Sequence, residues 1–200
     1  MKFSEFKIKT PEQLLSFLSD NFHWGFLDKS GKAYRGTESD FREKLANEYH
    51  MSSPDELLFK RYGLCYDMVH FEKKFFDEYK IPNKTLFINY VRNNRRGPGH
   101  TFLVYQLKRR WYWFEFVWET SPNEHHRGIH EYLSLEALLK DVNNRYKMTR
   151  KGVPSEYDGV YIIEYDPTYK PYTYEEFVRN CYNGKKIHIP GVTKDEKLNN

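Results

Sequence analysis

Cysteine is scarce in this sequence: Cys65 and Cys181 are the only two among 200 residues. Two thiols so far apart do not make a disulfide framework, and they lack the paired spacing of a zinc site. Long apolar runs are also missing. No stretch reaches the uninterrupted length of a membrane-spanning helix, and residues 1–7 lack the apolar core of a secretory leader. These absences lead us to expect a soluble chain in a reducing compartment, the cytoplasm, with no membrane partner. Neither sign of charge dominates, with 32 Lys and Arg against 28 Asp and Glu and a net charge of +4. So mild an excess argues against nucleic acid as a partner. There is no internal repeat, long linker or low-complexity tract. Residues 1–192 therefore read as a single domain and residues 193–200 as a frayed C-terminal tail.

Aromatic residues are plentiful: 17 tyrosines, 15 phenylalanines and four tryptophans. Large rings bury much area each, so an aromatic core offsets the low mean hydropathy of −0.86. Thr10-Pro11-Glu12-Gln13 has the form of a capped helix start, with Gln13 closing a capping box. A second helix is expected from Glu38 to about Tyr49. A third starts at the capping box Ser53-Pro54-Asp55-Glu56 and is stopped by Gly63. After Ile81-Pro82 the pattern changes to strands, over Lys84–Arg92, His100–Lys108 and Trp111–Trp118, with Asn93–Gly99 as a loop. A short extended piece at Arg127–Tyr132, a helix capped by Ser134, a strand over Val160–Tyr165 and a helix capped by Thr173 complete the chain. Helices first and a mostly antiparallel sheet afterwards define an α+β class.

Gly63-Leu64-Cys65-Tyr66-Asp67 opens a helix in which Cys65, Met68, Val69, Phe76 and Tyr79 share a stripe. The thiol then sits in the first turn, where unpaired N–H groups and the helix dipole favour a thiolate. The alternative is a structural cysteine on a buried face. A nucleophilic thiol needs a base, and the base needs an orienting acceptor. Among eight histidines, His100 stands out because it opens a strand after Gly97-Pro98-Gly99. Hairpin parity places Glu115 and Glu119 on the face adjoining His100. A tight turn at Arg109-Arg110 pairs His100 with Glu119; a slip of two makes Glu115 its diagonal neighbour, and a slip of four its direct partner. Either acid is allowed on these grounds.

These residues resemble the transglutaminase-like branch of the papain-like superfamily, and bacterial proteins of that branch without an assigned function in particular. Gly63-x-Cys65 is similar to the family's cysteine motif. His100 followed by Glu115 fifteen residues on, within Trp111-Tyr112-Trp113-Phe114-Glu115, is similar to its base and acid strands. Gly128-Ile129-His130-Glu131-Tyr132 follows the same pattern, and the likeness covers roughly Trp24 to Val142. It implies a papain-like, transglutaminase-like fold with the cysteine helix packed on the sheet. It also implies a Cys65–His100–Glu115 triad acting on a peptide or protein amide through a thioester, with no cofactor and no metal. The product is a hydrolysed amide or an acyl group moved from glutamine to an amine. The family's third member is usually aspartate, and its Asp-Pro-Thr is missing after Glu115, so an inactive binding module of the same fold is the rival reading. Arg61, Gly63, Cys65 and Asp67 partly echo the arylamine N-acetyltransferases, but Tyr62 stands where their first glycine belongs, which ranks that reading lower.

The Cys65 N–H is the natural first oxyanion donor, with Trp24 and Tyr62 as candidates for the second. Arg95 and Arg96 precede His100 and are candidate contacts to an acidic substrate; a solvated run is the other explanation. Glu124, His125, His126 and His130 have no metal-binding frame and read as a solvated loop. His70 reads as a surface or core histidine, and Cys181 as structural.

Overall fold

The computed structural model describes residues 2–92, 95–117, 126–149, 159–167 and 171–193. After a single 3-10 turn, the first third carries helices α1 (Pro11–Asn21), α2 (Phe41–Glu48), α3 (Pro54–Lys60) and α4 (Cys65–Glu78). Short strands β1 (His23–Trp24), β2 (Phe26–Leu27), β3 (Ala33–Tyr34) and β4 (Tyr62–Gly63) lie between them. There follow β5 (Asn83–Arg92), β6 (Arg95–Leu107), β7 (Arg110–Glu115), β8 (Gly128–Tyr132), α5 (Leu135–Thr149), β9 (Gly159–Tyr165), α6 (Tyr174–Tyr182) and β10 (Lys185–Lys186). Six strands form one antiparallel sheet in the order β10-β9-β5-β6-β7-β8. The result is a mixed α/β structure, helices first, as the sequence pattern implies.

Side chains alternate across the sheet and feed a layer on each face. Leu103, Tyr105 and Phe114 pack with Leu14 and Leu18 of α1 and Met68, Phe71, Phe75 and Phe76 of α4. Phe102, Val104 and Trp113 pack instead with Leu138, Leu139, Val142 and Tyr146 of α5. A third cluster joins Leu64 and Tyr66 to Tyr161, Ile163 and Tyr165 of β9 and Phe177 of α6. Helix α4 is buried over much more than one stripe, from Tyr66 to Phe76, which makes it a central helix rather than an amphipathic surface one.

Several local expectations are corrected. The proposed loop Asn93–Gly99 contributes five residues to β6, since Arg95–Gly99 pair or run alongside β5. Between the pairs Asn89↔Gly99 and Val91↔Arg96 the β6 strand carries one extra residue. This bulge absorbs Pro98, which has no N–H for the ladder, and Asn89 Nδ2 donates to the Gly97 carbonyl at 2.9 Å. Helix α2 starts later than Glu38 because that carboxylate accepts the Arg35 and Gly36 N–H groups of the preceding turn. Thr10 caps α1, but Gln13 Oε1 takes the Lys9 N–H rather than closing a box on Thr10. Thr193 is not frayed: it bridges Val160, and its hydroxyl accepts the Ile189 N–H at 2.8 Å. The rest of the expected tail, 194–200, lies outside the described residues.

Arg61, with φ 61°, is the residue that ends α3. Gly63 has a different task from the one expected. A Cβ there would stand 2.6 Å from Leu57 Cδ1 and 2.9 Å from Asp67 Cβ, so glycine is what lets α3 and α4 close on β4. Gly63→Ala is therefore expected to cost about 1–3 kcal/mol through overpacking, read from the urea midpoint. An unchanged midpoint would contradict this packing.

Candidate active site

Leu64 precedes α4 and has no side chain able to cap it. Asp67, at the third helical position, takes that role. Its Oδ2 accepts the Leu64 N–H at 2.7 Å and the Tyr49 hydroxyl at 2.8 Å, while Oδ1 accepts the Ser52 N–H at 2.7 Å. Burial pushes this carboxyl up to about 6, against the pull of its three donors. Both oxygens act as acceptors, the arrangement of the ionised form that prevails above that pH. The cap fixes where the helix begins, and the first residue of the helix is Cys65, half-buried against the cluster around Leu64 and Tyr66. Its N–H belongs to the first turn, where amides have no intrahelical acceptor.

His100 and Glu115 come from the β6–β7 hairpin. The turn is Lys108-Arg109, both in the left-handed region, with Leu107 opposite Arg110 and Leu103 opposite Phe114. Continuing that register puts Phe102 opposite Glu115 and makes Glu115 the diagonal neighbour of His100. The diagonal is spanned by side chains: His100 Nε2 lies 2.9 Å from Glu115 Oε2. Glu115 Oε1 accepts the Val117 N–H at 3.0 Å, so both carboxylate oxygens are used. The pair is shielded, with 8% of His100 and 2% of Glu115 exposed. Phe102 and Tyr146 stack on the imidazole, each with ring centroids 6.3 Å away.

Cys65 is also close enough to this ring to favour its charged form. Burial by itself would push the imidazole down; the Glu115 charge, followed by nearby Cys65 and the hydrogen bond the ring donates to Glu115, outweighs it and pushes the ring up to about 10. His100 is thus an imidazolium across the neutral range. Because the folded value lies above the ordinary 6.5, the stability it confers is complete below about pH 6.5 and is lost as pH rises towards 10.

The other candidate residues fall less neatly. Trp24 and Tyr62 lie on the paired strands β1 and β4 that lead into Gly63. The Trp24 indole, 40% exposed, stacks on Phe41, and the Tyr62 hydroxyl accepts from Arg35 at 2.8 Å. Arg95 and Arg96 are placed by backbone on β6, and their side chains lie outside the description, as do Glu119, Glu124 and His125. His130 Nε2 donates to the His126 carbonyl at 2.7 Å, and among the described residues no cluster has the make-up of a metal site. Cys181 is buried in the same cluster as Leu64 and Tyr66, and burial pushes its thiol well up. His70 is buried on α4, where burial and Lys73 push it down to about 3, so it stays neutral.

Two residues near the site have roles that escape a sequence reading, Asp67 and Glu72. The first stands three residues after the N-cap, where a capping acid belongs, but Leu64 at the cap hides the motif. The second sits between Val69 and Phe76 on the buried side of α4, a carboxyl in an apolar register.

No family model matches the chain, and no curated protein matches it. The geometry alone defines a class of site: a thiol at a helix N-terminus, a charged imidazole and a buried carboxylate in one row. Such a row can hold a thiolate, move a proton and orient the group that moves it.

Glu115→Gln should bring His100 down by about 1–3 pH units, since that carboxylate's charge is the largest influence that raises it. An NMR titration of the ring checks this. A ring still charged at pH 9 in the variant would show that Glu115 is not what holds its proton.

Proposed function

We propose that this protein is a cysteine-dependent acyl-transfer enzyme with a papain-like, transglutaminase-like fold, acting on a peptide or protein amide. One observation carries the reading: the buried Glu115–His100 pair, 2.9 Å apart, lies within electrostatic reach of the cysteine on the first residue of α4. The longer side chain of glutamate spans the diagonal to His100, which supports an active site over an inactive module of the same fold.

The roles follow from the chemistry. Cys65 attacks the amide carbon as the thiolate, its proton being the one His100 already holds, and a C–S bond forms as the carbonyl π pair moves onto oxygen. The Cys65 N–H is placed to stabilise that oxyanion; the second donor comes from the β1–β4 strands, where Trp24 and Tyr62 remain the candidates. Collapse of the intermediate breaks the C–N bond, and the His100 imidazolium gives its proton to the leaving amine. The thioester is then opened by water or by an amine, with neutral His100 taking the acceptor's proton. Glu115 holds the ring's orientation throughout and keeps its own charge. No helix among the described residues is long and apolar enough to cross a membrane. Side chains outside the triad set the choice between water and an amine.

Incubating the chain with a peptide-glutamine library at neutral pH and digesting it in acid tests the reading. The expected result is an acyl mass on the peptide containing Cys65, reduced about 100-fold or more in His100→Ala and lost in Cys65→Ala. Acylation that is equal in wild type and His100→Ala, or that falls on Cys181 instead, would overturn it.

A further inference from the structure

A second buried carboxyl lies within electrostatic range of this imidazole. Glu115 holds the ring. The other is Glu72, two turns along α4 from Cys65. Glu72 is 2% exposed, and its Oε2 has no hydrogen-bond partner among the described residues. The titratable groups around it are Glu115 from β7, His100 from β6, Cys65 from its own helix and Tyr165 from β9, whose hydroxyl lies beside Thr101. His100 is the sole cation in that set, and Glu115 already engages it. A second carboxylate here would be desolvated, unpaired and next to a like charge.

Resting on the Cys65–His100–Glu115 reading above, we propose that Glu72 is a positioning residue of that site: a protonated carboxylic acid whose neutrality keeps the carboxylate charge on Glu115. Burial, reinforced by the Glu115 charge, pushes the Glu72 acid well up, in keeping with that state. The arrangement has a consequence for proton transfer. With Glu72 neutral, the imidazolium answers to one carboxylate and remains able to release its proton to a leaving amine. With Glu72 ionised, a second negative charge binds that proton more tightly and makes His100 a weaker acid. Glu72 thus sets the acidity of His100 without touching the substrate.

Infrared difference spectroscopy of the full chain at pH 7, wild type against Glu72→Gln, reads the protonation state directly. The expected result is loss of a buried carboxylic-acid C=O band; loss of carboxylate bands instead would overturn the proposal. The NMR titration of His100 reads the coupling. At a pH high enough to ionise Glu72 in the wild type, the ring of Glu72→Gln should release its proton about 0.5–1 pH unit earlier. Superimposable titrations would reduce Glu72 to a packing residue and overturn the proposal. Glu72→Leu guards against a folding artefact. A neutral site must tolerate a neutral side chain, so unfolding of both variants at pH 7 would also count as refutation. None of these measurements uses turnover. Acylation of Cys65 tests the enzyme reading by itself, so either claim can fail while the other's readout is intact.

Discussion

The carboxylate of Asp67 joins three segments that are separate in the chain. It accepts from Tyr49 beyond α2, from Ser52 ahead of α3 and from Leu64 ahead of α4. A buried carboxylate is costly unless donors surround it, and here three do. The same bonds decide where α4 starts, and hence that residue 65 is its first. Gly63 lets this junction close, because any side chain there would meet Leu57 and Asp67. The thiol's position in the helix dipole follows from a polar cap one turn away, not from the sulfur's own contacts.

The sheet supplies the other half of the site with the same economy. A two-residue turn at Lys108-Arg109 fixes the register, and register alone decides which acid meets His100. The bulge that absorbs Pro98 then delivers His100 to its place opposite Ile88. Desolvation of the ring and of Glu115 works against both charges, and their 2.9 Å contact offsets it. Aromatic walls at Phe102 and Tyr146 exclude water that would otherwise screen the pair. Glu72 adds a second acid to this dry region, where like charges cannot both persist.

Much of this was legible in the residues. Thr10, Ser53, Ser134 and Thr173 cap helices because short hydroxyl side chains reach orphan amides, a local rule that tertiary structure seldom overrides. Strand parity brought Glu115 within reach of His100, although the choice over Glu119 hung on a turn one residue earlier than Arg109-Arg110. What was not legible depends on distant partners. Glycine and proline at positions 97–99 signal a loop, and only Asn89 and the β5 register make that stretch a bulged strand. Leu64 conceals the cap that Asp67 provides. The outlying strand β10, two lysines long, exists because β9 offers it an edge. Glu72 gains meaning only once α4 is seen to be buried around most of its circumference.

The central claim is that His100 sustains a reactive thiolate at Cys65, and alkylation measures this with no knowledge of the substrate. Iodoacetamide at pH 7 should modify Cys65 in the wild type about tenfold or more faster than in His100→Ala, while buried Cys181 stays unmodified in both. Equal rates at Cys65 in the two proteins would contradict the account.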